Sequence, residues 1–212
     1  MGRIIALLFL PFLAYGFCQE WLILFGNFKL TVAWQYFALG AGIFSVIWYF
    51  LKERLLFFLT LEHELTHTIA GLICFKAPRH LIVGRTEGEV GLTGSNWFIA
   101  LAPYFSPTIA YAVMALAFIV SASYQWLIAM FMGAALAYHF FSTLKELHFK
   151  QPDLQVPGMI FSMIMLPVAN IIFTGGALAF VDGKFSEYWM RAGMTSIYAM
   201  KMTFQYALQS FQ

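Results

Sequence analysis

Charge is what this chain has least of. Asp, Glu, Lys and Arg together make up 10% of its 212 residues, against about 25% in soluble domains. A soluble core does not account for that. The 12 basic and 10 acidic side chains leave a net charge of +2, which gives no case for a nucleic-acid partner. Cysteine is scarce as well: Cys18 and Cys74 stand in different apolar runs, where thiols are packing residues more often than disulfide partners. No Pro-, Gly- or Ser-rich linker, internal repeat or low-complexity tract divides the chain. Residues 1–212 therefore read as a single polytopic membrane domain.

Apolar side chains supply 61% of the residues, and the mean hydropathy is +0.77. A bilayer crossing takes about 20 apolar residues. Six runs are long enough: Ile4 to about Phe25, Thr31 to Leu51, Leu55 to Phe75, Trp97 to Val120, Tyr124 to Thr143, and Pro157 to Val181. The expected fold is an all-α membrane protein with about six transmembrane helices in one bundle. Arg3 ahead of an apolar run resembles a signal peptide, but Phe17 before Cys18 and the lack of a small-x-small cleavage site favour a retained helix. Lys and Arg divide evenly between the two sides of a six-span arrangement, so they do not orient it.

Two segments break the pattern. From Lys76 to Asn96, β-prone residues are punctuated by Gly84, Gly88, Gly91 and Gly94, which points to a short β-hairpin or extended loop. After Asp182, the segment of about residues 184–212 carries Lys184, Glu187, Arg191 and Lys201 among aromatic and Met residues. A helix lying in the membrane interface is expected there, with a seventh span as the alternative.

The densest chemistry lies inside the third run. His63-Glu64-Leu65-Thr66-His67 puts two imidazoles four residues apart, on one face of a helix, with a carboxylate beside them. With 5 His in the chain, the pattern arises by chance in fewer than about one in a hundred shuffled sequences. His63 and His67 can hold one Zn²⁺ while Glu64 acts as a general base. Thr60, His63, His67, Ala70, Gly71 and Cys74 form a small, polar stripe along that helix, and Phe57, Phe58, Leu61, Leu65 and Leu72 supply a bulky face. A purely structural role for the histidines, bonded between helices, leaves Glu62 and Glu64 in the same turn, each costing about 3 kcal/mol at mid-bilayer.

A catalytic zinc takes three protein ligands and keeps one open position. Candidates for the third are Asp153, Asp182, Glu146, His139 and His148. Asp153, in Lys-Gln-Pro-Asp-Leu-Gln-Val-Pro-Gly, stands at the entry of the sixth run, where an acid gains from a helix N-terminus. Asp182, in Val-Asp-Gly, suits a solvated turn.

The chain resembles the site-2 protease class of intramembrane zinc metalloproteases, in particular its small bacterial members. The resemblance rests on His63 to Gly71, on the Gly-rich stretch that follows, and on Ala100-Leu101-Ala102-Pro103, and it covers roughly residues 55–181. It implies zinc on His63, His67 and an Asp entering a later helix, with Asp153 favoured over Asp182. It also implies Glu64 as catalytic base toward a metal-activated water, transmembrane protein segments as substrates, and a place in the bacterial cell membrane. The family's Asn and Pro residues shortly ahead of Leu-Asp-Gly are missing here. Rival readings are an inactive relative serving as a membrane scaffold and a different membrane zinc protease using Glu146 as third ligand. Five His are too few for the multiple His boxes of a di-iron desaturase. A haem pairing with His139 leaves Glu62 and Glu64 without purpose.

Overall fold

A computed structural model describes residues 2–210. The chain is mostly helical, with one two-stranded antiparallel hairpin and a long C-terminal helix. In order it runs α1 (Gly2–Gly26), α2 (Val32–Leu51), α3 (Leu56–Ile73), β1 (Pro78–Val83), β2 (Gly88–Leu92), α4 (Trp97–Phe105), α5 (Thr108–Leu116), α6 (Gln125–Glu146), α7 (Pro152–Gln155), α8 (Met159–Val181) and α9 (Phe185–Gln209). A short 3-10 turn, Ala122–Tyr124, leads into α6.

Among the described residues, four helices are long and apolar enough to cross a bilayer: α1, α2, α6 with its leading turn, and α8. They carry many large apolar side chains on their outer faces, such as Leu8, Leu22, Tyr49, Phe131 and Ile160, which is compatible with a membrane protein. The expected run from Trp97 to Val120 is not one straight span. It divides into α4 and α5, bent by 72° at Ser106 and Pro107, and makes a fifth span only if the broken pair is counted as one. Residues preceding proline avoid the helical region, and Ser106 is extended at φ −96° and ψ 108°. α3 is helical as expected but falls short of a span's hydropathy, because Glu62, His63, Glu64 and His67 interrupt its 18 residues.

Close approaches set the packing. α2 and α6 run parallel, with Tyr36 on Trp126, Phe44 on Tyr138 and Trp48 stacked on Phe141. At their crossing Gly40 meets the Met130 carbonyl and Gly133 meets the Phe37 carbonyl, so close that a Cβ would lie 1.8 and 1.9 Å from those oxygens. Only glycine permits that contact. α1 packs on α8 and α9 through Phe17, Ala179, Tyr188 and Ala192. α9 runs antiparallel beside α1, and Arg191 pairs with the buried Glu20 at 3.3 Å. The short helix α4 lies in the middle: every residue from Ile99 to Phe105 is buried. Asn96 caps it by accepting from the Ile99 N–H at 2.9 Å.

The segment expected as either a β-hairpin or an extended loop forms a hairpin. β1 and β2 pair Leu81 with Val90, Ile82 with Glu89 and Val83 with Gly88, with an irregularity between Pro78 and His80. It lies along α3, with Leu92 against Gly71 and Gly88 against Thr60 and Glu64.

Candidate metal centre

Helical periodicity does the first part of the assembly. Leu59, His63, Glu64, Thr66, His67, Ala70 and Gly71 are the buried residues of α3, while Phe57, Phe58, Leu65 and Leu72 face outward. The Nε2 atoms of His63 and His67 stand 3.1 Å apart.

Asp153 completes a triangle. Between α6 and α8 the chain turns inward rather than outward: Pro152 opens the single turn α7, Leu154 is 1% exposed in the core, and Gly158 takes φ +97° to start α8. Ser162 donates to the Leu154 carbonyl at 2.9 Å, and Arg3 at the start of α1 donates to the Pro157 carbonyl. That frame puts Asp153 Oδ2 at 3.1 Å from His63 Nε2 and 3.3 Å from His67 Nε2. A tetrahedral metal with bonds of about 2.0 to 2.2 Å needs donor atoms about 3.3 to 3.6 Å apart. The observed edges, 3.1 to 3.3 Å, are close to that. His63, His67 and Asp153 could therefore hold a metal ion.

The outer ring nitrogens make the same case independently. His67 Nδ1 lies 2.8 Å from the Ile99 carbonyl, and His63 Nδ1 lies 2.7 Å from Glu146 Oε2. A carbonyl can only accept, so His67 carries a proton on Nδ1, and in the neutral ring this turns a lone pair on Nε2 toward the triangle. An ionised Glu146 asks the same of His63. One proton can bridge two of the three converging electron-rich atoms; a divalent cation satisfies all three. Metal-bound histidines commonly donate their second N–H to a carboxylate or a carbonyl in this way. Tyr104, fully buried in α4, donates to Asp153 Oδ2 at 3.2 Å.

Glu64 is outside the triangle. Its carboxylate lines a cleft of about 780 Å³, together with Thr60, His63, His67 and Asp153. β2, but no residue of β1, forms one wall of that cleft, and the segment from Lys145 to Val156 forms another. Gly88 is what lets β2 come so near: a Cβ there would sit 2.7 Å from both Glu64 Cγ and Thr60 Cγ2. The Gly84 N–H bonds the Glu87 carbonyl. Alternation along an antiparallel ladder then leaves the N–H and C=O of Gly88 and Val90 on the side away from β1.

The other candidates lie elsewhere. Asp182 caps the far end of α8, where it accepts from Trp34 Nε1 at 3.0 Å and from Lys184 Nζ at 2.5 Å. Burial raises its carboxyl, and these two donors hold it below the usual range. Glu146 faces the Nδ1 side of His63, away from the triangle. His139 is buried in α6 with its Nε2 unpartnered among the described residues. His148 lines the cleft wall and is exposed. Asn170 donates to the carbonyls of Tyr104 and Leu166. Sequence reasoning missed Tyr104 and the Ile99 carbonyl. A lone tyrosine hydroxyl in the apolar stretch Ala100 to Phe105 was the only available signal for the first, and a backbone carbonyl leaves none.

Searches against protein-family models, curated proteins and solved structures found no match to this chain.

Proposed function

We propose that this chain is a zinc-dependent intramembrane endopeptidase of the site-2 protease kind, acting on transmembrane segments of other proteins in a bacterial cell membrane. One observation carries the reading: two histidine Nε2 atoms and one carboxylate oxygen converge at 3.1 to 3.3 Å while both Nδ1 atoms are held by acceptors. Two imidazoles and a carboxylate with a fourth position open to a cleft suit catalytic zinc. The metal, when bound, acidifies a water and polarises a carbonyl.

The remaining work falls to side chains and backbone. Glu64 has its carboxylate in the cleft and outside the donor set, so it accepts the proton of the attacking water and returns it to the leaving amine nitrogen. A helical substrate hides its carbonyls in its own hydrogen bonds, so it must unwind to be cut. The free edge of β2 at Gly88 and Val90 can bind the unwound stretch as an added strand. Glu64 then lies directly beneath that strand, because Gly88 packs on it.

A second reading rests on the same donor set, since two histidines and one carboxylate also hold non-haem iron in oxygenases. The base at Glu64 favours hydrolysis. The test is metal analysis of the purified protein together with cleavage of co-expressed membrane proteins, comparing wild type with Glu64→Gln. Zinc retained by both and cleavage by wild type alone is the expected result. Cleavage by Glu64→Gln near the wild-type rate refutes the mechanism, iron as the native metal moves the protein to the oxygenase class, and zinc binding without cleavage in either form supports a scaffold.

A further inference from the structure

We propose that Glu146 is a positioning residue of the metal centre, one that holds the His63 ring with Nε2 bare and strengthens it as a donor. The inference rests on the metal reading above and adds to it a residue outside the donor triangle.

Three observations support it. The Nδ1 contact to Glu146 Oε2, at 2.7 Å, is the shortest polar contact made by either motif histidine. Glu146 and Asp153 belong to one short stretch of chain, and they hold the same imidazole from opposite sides, at Nδ1 and at Nε2. Finally, Glu146 is the last residue of α6. An acid there faces the negative end of the helix dipole, so local helix energetics disfavour it. A residue that works against its own helix and meets a functional ring is better explained by the ring.

The two histidines are not equivalent. His67 leans on a neutral carbonyl, whereas His63 has a carboxylate behind it. A carboxylate partner orients the ring and raises its basicity toward a metal. His63 is therefore the stronger donor of the pair, and its geometry is set before a metal arrives.

Two measurements on the full-length protein in detergent micelles test this. Zn²⁺ affinity, read by competition with a chromophoric chelator, should fall about 10- to 100-fold in Glu146→Ala. Glu146→Gln, whose amide oxygen still accepts from Nδ1 but carries no charge, should fall by about tenfold, at the lower end of that range. In the metal-free protein, ¹⁵N spectra of ring-labelled histidine should show His63 protonated at Nδ1 in wild type and Glu146→Gln, and a loss of that proton in Glu146→Ala. If Glu146→Ala does not fold, shown by its metal-free thermal midpoint, the isosteric Glu146→Gln carries the affinity test. Wild-type affinity in Glu146→Gln, or an unchanged Nδ1 proton on His63 in a folded Glu146→Ala, overturns the proposal. Absence of Zn²⁺ binding by wild type is a different result: it overturns the metal reading itself.

Discussion

Replacing Asp153 by alanine is the sharpest perturbation of the donor triangle, because it removes one corner and leaves both histidines on α3 in place. Structural zinc sites with four ligands bind with about 10 to 16 kcal/mol, so one ligand accounts for roughly 3 kcal/mol. At 1.4 kcal/mol per tenfold, Asp153→Ala should weaken Zn²⁺ binding on the order of 100-fold. A smaller, separate effect on stability is expected, since the buried Tyr104 hydroxyl loses its acceptor. An unsatisfied buried donor costs about 1 to 3 kcal/mol. Asp153→Asn separates the two, because its amide oxygen still accepts from Tyr104 while offering the metal a neutral and weaker ligand. Asp182→Ala is the comparison: it breaks bonds to Trp34 and Lys184 at the far end of α8 and should leave zinc affinity unchanged. Affinity is read by chelator competition in micelles, stoichiometry by elemental analysis, and fold by the metal-free thermal midpoint. Stoichiometric zinc in Asp153→Ala with affinity within about tenfold of wild type, or loss of zinc in Asp182→Ala, refutes the assignment of the triangle.

Removing the metal should destabilise the protein, because an ion held only by the folded arrangement of His63, His67 and Asp153 stabilises that state by mass action; at free metal 100 times the dissociation constant the loss is about 2.7 kcal/mol, read as a lower thermal midpoint after chelation and its recovery on adding Zn²⁺ back. Gly88→Val places a side chain where a Cβ already lies 2.7 Å from Glu64 and Thr60; β2 must move off α3, so cleavage should fall while zinc content stays, and unchanged cleavage would remove β2 from the substrate site. Gly133→Leu drives a side chain into the Phe37 carbonyl at the crossing of α2 and α6, which should cost about 1 to 3 kcal/mol or more by overpacking, visible as a lower denaturation midpoint; a neutral outcome would mean the two helices do not meet there.

What sequence alone could determine here was local or compositional. The scarcity of charge requires apolar helices, and the 3.6-residue period puts His63, His67, Ala70 and Gly71 on one buried face whatever the rest of the chain does. The Gly-punctuated segment from Lys76 to Asn96 likewise forms a hairpin from its own turn and strand preferences.

Proline marks where such reading stops. Pro11, Pro103 and Pro167 lie within continuous helices, yet Pro107 ends one, and nothing in the residue type separates these outcomes. Neighbouring helices decide whether a freed backbone group is satisfied and the helix continues. For the same reason the Trp97 to Val120 run read as one span and folded as two helices.

The donor triangle needed tertiary structure most. Asp153 in α7, Asp182 at the end of α8 and Glu146 at the end of α6 all match an open metal position by residue type, and only the helix-entry position of Asp153 favoured it in the sequence. What separates them is direction and depth. The Arg3 bond to Pro157, the burial of Leu154 and the positive φ of Gly158 turn Asp153 inward to Nε2, Trp34 and Lys184 hold Asp182 at the opposite end, and the end of α6 leaves Glu146 at Nδ1. Such contacts join residues some 80 to 150 positions apart, and no periodicity along the chain encodes them, because periodicity reports only which face of its own helix a residue occupies.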